Sequence, residues 1–82
     1  MKISKFILIE DCVNALYIDH KSKYAIAFVH DLIENGFAIR AKNNNIYIIA
    51  IELNHLFYVK TIHSHKKPSV DYFKNQILRL CL

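Results

Sequence analysis

The chain has a single glycine, Gly36, and it stands where the hydrophobic period changes. Before it, Tyr24, Ala25, Phe28, Val29, Leu32 and Ile33 recur at spacings of three and four, the stripe of an amphipathic helix. After it, Phe37, Ile39 and Ala41 alternate with Ala38, Arg40 and Lys42, the period of a strand. Glycine takes the left-handed conformation that closes a helix without steric cost. The spacing therefore predicts a helix that ends at Gly36 and turns directly into a strand. His30, Asp31, Glu34 and Asn35 are expected on its wet side, with Asp19 or Ser22 as the N-cap. A chain with one glycine also has no glycine-rich phosphate loop, which excludes P-loop and dinucleotide-binding chemistry.

Beyond Lys42 the alternation continues through two short breaks. Asn43-Asn44-Asn45 is a turn, because Asn tolerates positive φ. Residues 46–51 are apolar at every position, as a central strand covered on both faces would be. Residues 52–55 form a second turn. In the next strand, Phe57, Val59 and Thr61 lie on one face and Leu56, Tyr58, Lys60 and Ile62 on the other. Turns this short predict an antiparallel meander. Residues 63–67 make a polar, basic connection. Pro68 and Ser69 then open a terminal helix with Val70, Phe73, Ile77 and either Leu80 or Cys81 as its stripe and Lys74, Gln76 and Arg79 outside. At the other end, Ile3 and Phe6 to Ile9 fit a strand. Residues 11–20 fit two structures: a second strand in a hairpin, or a short helix capped by Asp11 that presents Val13, Leu16 and Tyr17. The predicted fold is one α+β domain over residues 1–82. Its small antiparallel sheet combines an N-terminal strand with a three-strand meander, packed by a central and a C-terminal helix.

Size and composition narrow the class. With 82 residues there is room for one domain, and 54% apolar content excludes a disordered chain. The longest apolar run, residues 46–51, is far short of a membrane span, and Phe6 to Ile9 is too short for a signal peptide. Cys12 and Cys81 are too few and too far apart for a disulfide framework or a zinc ribbon. A soluble cytoplasmic domain is the expectation. A domain of this size buries only about 60–65% of its unfolded surface. Its 13 isoleucines point to dense packing, or to a homodimer or heterocomplex that completes the core.

The net charge of +4 is not spread evenly. Up to residue 55, six basic groups (Lys2, Lys5, Lys21, Lys23, Arg40, Lys42) balance six acidic ones (Glu10, Asp11, Asp19, Asp31, Glu34, Glu52). Beyond it, Lys60, Lys66, Lys67, Lys74 and Arg79 face Asp71 alone, with His63 and His65 among them. Such an end suits RNA phosphate or an acidic protein surface, and it suits equally a solvated edge that keeps an apolar domain soluble.

No cofactor or metal is called for. His63-x-His65, even joined by His55, matches no recognised zinc spacing, and His20 and His30 fit ordinary surface positions. Cys12 and Cys81 fit small apolar fillers better than nucleophiles, and adjacent Glu10 and Asp11 would point apart on a strand. The remaining chemistry is metal-free RNA cleavage. A base takes the 2′-hydroxyl proton, cations hold the scissile phosphate, and an acid protonates the leaving oxygen. His63 and His65 are the candidate base and acid, with Tyr72 beside them to stack on a base. Arg40, Lys42, Lys60, Lys66 and Lys67 are the candidate phosphate ligands; Arg40 and Lys42 share a strand face and would complete one groove if that face were bare.

The stretches Leu32-Ile33-Glu34-Asn35-Gly36-Phe37-Ala38-Ile39-Arg40 and Tyr58-Val59-Lys60-Thr61-Ile62-His63-Ser64-His65-Lys66-Lys67-Pro68-Ser69 resemble the RelE-like toxins, in particular the HigB-like branch, over residues 29–80. Those proteins run from a helix ending in Gly through a meander and a Lys-Lys stretch into a C-terminal helix. The long helical hairpin of that family has no obvious counterpart in the first half. Residues 46–51 also replace its arginine-bearing strand. The resemblance implies mRNA cleavage, free or on the ribosome, with an antitoxin as partner. It carries over Arg40, Lys60, Lys66 and Lys67 as functional positions. The expectation from a different class is a non-enzymatic inhibitor or immunity-type protein, of phage type, that blocks a larger target protein. A non-catalytic double-stranded RNA binder shares the element order but has a more basic helix start.

Overall fold

The computed structural model describes residues 3–15 and 23–81, the last of these and residues 23 and 24 by backbone alone. The elements are β1 (Ser4–Phe6), α1 (Ile9–Ala15), α2 (Lys23–Asn35), β2 (Phe37–Asn43), β3 (Ile46–Leu53), β4 (Leu56–His63) and α3 (Val70–Cys81). The four strands form one antiparallel sheet in the order β1-β4-β3-β2. The meander is therefore as the alternation predicts, and β1 closes its far side against β4 rather than against β2. This is an α+β domain with three helices on a four-stranded sheet.

Gly36 does what its position requires. Its φ is +79°, and its N–H donates to the Leu32 carbonyl at 3.0 Å, ending α2. Its own carbonyl accepts the Glu52 N–H at 2.9 Å, which ties the helix end to β3 and opens the β2–β3 ladder. A Cβ added there would meet nothing within 4 Å, so substitution costs only the backbone conformation. Gly36→Ala is expected to lose about 1–2 kcal/mol, read as a fall in Tm of roughly 4–15 °C. The reversal between β3 and β4 is shorter than the expected 52–55, because Glu52 and Leu53 still pair within the sheet; Asn54 and His55, at φ of 54° and 66°, form the two-residue turn whose twist matches the strands. Glu52 caps it by accepting the His55 N–H on Oε1 at 3.1 Å.

Strand parity distributes the core over both faces of the sheet. Across the row Ala38, Ala50 and Val59, side chains point to one face, where Phe28 and Leu32 of α2 and Cys12 of α1 meet Ile48. On the opposite face Ile49, Ile51 and Tyr58 are covered by Phe73 and Ile77 of α3. Residues 48–51 of β3 are buried at every position, because they lie between two helical layers. Each large side chain taken out of water contributes about 1.5–3 kcal/mol. Ser69 caps α3 through its Oγ, which accepts the Tyr72 N–H at 3.3 Å.

Several expectations need correction. β1 ends at Phe6; Ile7 and Leu8 are exposed and Ile9 begins α1, so Phe6 to Ile9 is not a strand. Residues 11–15 are helical, and Asp11 lies in the first turn of α1 rather than capping it. The proposed contributions of Leu16 and Tyr17, the alternative strand beyond residue 15, and the caps Asp19 and Ser22 fall outside the described residues. The buried stripe of α2 is narrower than the pattern suggests: Ile33 is 65% exposed. On α3, Leu80 is 72% exposed, so Val70, Phe73 and Ile77 carry the described contact; the side chain of Cys81 lies outside the described residues.

Cys12 is fully buried, and burial pushes its thiol up to about 11 from 9.0. The native state therefore holds a proton that the unfolded chain releases above pH 9. Stability is complete below that pH and falls as pH rises from about 9 to 11, by on the order of 2 kcal/mol. Chemical denaturation across that window should show a steeper loss for the native sequence than for Cys12→Ala.

Candidate functional site

The candidate residues are carried by three elements and the connection after β4. Arg40 is on β2, level with Ile48 and Thr61, and points to the α1–α2 face. There α2 covers it: Nη2 donates to Asp31 Oδ2 at 3.1 Å, and Nε is buried without a partner. Lys42 is exposed, but the β2–β3 register shifts between Ala41 and Asn43. The expected shared face of Arg40 and Lys42 is interrupted by that bulge. Lys60 has the opposite parity. It points to the α3 face, where Nζ donates to Gln76 Oε1 at 3.0 Å. The sheet thus separates Arg40 from Lys60, and the two do not share a groove.

The remaining candidates follow one another along the chain, but His63 shares the α1–α2 face with Val59 and Thr61, whereas Tyr72 is carried by α3 on the opposite face. His63 ends β4 opposite Ile46, and the Ser64 N–H donates to the Asn45 carbonyl at 2.8 Å, holding the strand end against the β2–β3 turn. Ser64 Oγ accepts the Lys66 N–H at 3.1 Å, which bends the chain locally. His63, His65, Lys66 and Lys67 are all exposed, and among the described residues none of them forms an ion pair. Tyr72, one turn into α3, is 65% exposed. The junction of β4 and α3 is therefore an uncompensated basic segment with two imidazoles and a free aromatic ring. Among the described residues no group of three or more His, Cys, Asp or Glu could hold a metal ion.

A second feature has no counterpart in the sequence pattern. Between α1 and α2 lies an apolar groove of about 490 Å³, lined by Ile9, Val13, Ala25, Ile26 and Val29, with Glu10 and Asn14 on its wall. Its one signal is Ile26, an isoleucine outside the buried stripe of α2 and 60% exposed. No protein-family model matches the chain, and neither a curated protein nor a solved structure matches it.

Proposed function

We propose that this protein is an RNA-directed, toxin-type endoribonuclease that engages its substrate at the β4–α3 junction. The observation that carries the reading is the exposed, unpaired basic run from His63 to Lys67, followed in sequence by exposed Tyr72. Lys66 and Lys67 hold the scissile phosphate, and Tyr72 stacks on a neighbouring base. One of His63 and His65 takes the proton of the 2′-hydroxyl as its oxygen bonds to phosphorus. The other protonates the 5′-oxygen as its bond to phosphorus breaks. Arg40 and Lys60, engaged by Asp31 and Gln76, act as positioning residues for the helices.

Induced expression in bacteria, followed by growth and RNA integrity, tests this. Arrest with mRNA loss is expected, relieved by His63→Ala, Lys66→Ala or Lys67→Ala while the variants stay folded by circular dichroism. Full toxicity of those variants removes these residues from the mechanism. The α1–α2 groove favours a second reading, a non-enzymatic binder of a larger protein. Harmless expression with a stoichiometric protein partner and intact RNA would establish that reading and end the first.

A further inference from the structure

The outer edge of β2 points to a second copy of this chain. Among the described residues β2 pairs only with β3, so its other side is open along residues 37–41. Ladder parity fixes which groups are open. The Gly36 carbonyl bonds inward to the Glu52 N–H, so positions 38 and 40 also bond inward. Phe37, Ile39 and Ala41 then direct their N–H and C=O outward. We propose that two copies join at this edge, antiparallel about a twofold axis at Ile39, into a continuous eight-stranded sheet. Only a register centred on an outward-bonding residue uses all the free groups, and Ile39 is the middle one. Ile39 then exchanges two hydrogen bonds with its copy, and each Phe37 exchanges two with Ala41 across the axis.

Three further observations support this register. The side chains of Phe37, Ile39 and Ala41 are apolar and share the α3 face, where Phe37 and Ala41 remain exposed. Pairing sets the large Phe37 beside the small Ala41 of the other copy, so the uncovered strip closes on itself. The bulge after Ala41 ends the ladder where the free groups end. The charges also match: in the bulge just beyond the Ala41–Phe37 pair, Lys42 of one copy comes next to the other copy's Gly36 end, at the C-terminal turn of its α2. Exposed Glu34 and the last helix carbonyls lie there. The interface is isologous, so this contact occurs twice.

Sedimentation measures the result. The native chain is expected to dimerise. Lys42→Glu, which sets a carboxylate against Glu34, should weaken the dimer at least tenfold, and Lys42→Glu with Glu34→Lys should restore it. Ala41→Pro, which removes an outward N–H and leaves the bonds to β3 intact, should also weaken it. Ile39→Cys in a Cys81→Ser background should form an interchain disulfide on mild oxidation, because directly paired Cα atoms lie about 5.5 Å apart. A chain monomeric to about 1 mM overturns the proposal. So does a dimer indifferent to Lys42→Glu and Ala41→Pro. The proposal stands apart from the RNA reading, whose residues lie at the β4–α3 junction.

Discussion

Phe73→Ala is expected to destabilise the protein by about 3–5 kcal/mol. Phe73 is fully buried and, with Ile77, is the main attachment of α3 to the sheet. Among the other described side chains of the helix, only half-buried Val70 adds to this apolar contact. Tyr72 and Leu80 point to solvent, and Lys60 contributes a single bond to Gln76. A domain of this length has about 4–12 kcal/mol in all, so the substitution removes a large share. Thermal denaturation should show Tm lower by roughly 12–40 °C, at about 4–8 °C per kcal/mol. A loss under about 1 kcal/mol would mean that α3 is not what covers Ile49, Ile51 and Tyr58.

Reversing charge at Lys66 and Lys67 together should affect RNA binding more than any single change elsewhere. Both side chains are exposed and unpaired, so Lys66→Glu with Lys67→Glu leaves no buried group unsatisfied and the fold intact. Withdrawing two cations from the phosphates of a single strand lowers the slope of log K against log salt by about 1.4. Affinity falls with it and is set further back by the new carboxylates. Titration of a short labelled RNA at several salt concentrations gives both quantities. An unchanged slope, or no binding of the RNA at all, would remove this junction from the proposed function.

Local periodicity carried most of the fold. Gly36 and the unbroken apolar run of residues 46–51 each have one sensible reading, and the meander follows from them. The triple Asn marks a reversal, but Asn43 still belongs to β2 and none of the three takes a positive φ. α1 was ambiguous because seven residues hold two helical turns, too few to separate from alternation. The apolar residues Ile7 and Leu8 mimic an extension of β1, although both face solvent. The placement of Arg40 and Lys60 needed information that lies between strands. Each face assignment is visible within its own strand, but only the pairing of Arg40 through Ile48 to Thr61 shows that Lys60 is on the other side. The basic run after β4 was legible because it lies in one continuous stretch. The α1–α2 groove was not, because its two walls are separate segments.

The two-residue turn at Asn54 and His55 also bears on the order of folding. Its strands pair over eight positions, from Leu53 with Leu56 out to Ile46 with His63, and every bond in that ladder closes a short loop. The entropy of bringing these segments together is, with that of the equally short β2–β3 connection, the smallest the sheet demands, and here the ladder runs without a bulge. β1 is at the other extreme, since Ser4 must find Val59, far along the chain and beyond every other strand, for three residue pairs. The β3–β4 hairpin is thus the natural template of the folding reaction, and the N-terminal strand its last and slowest addition.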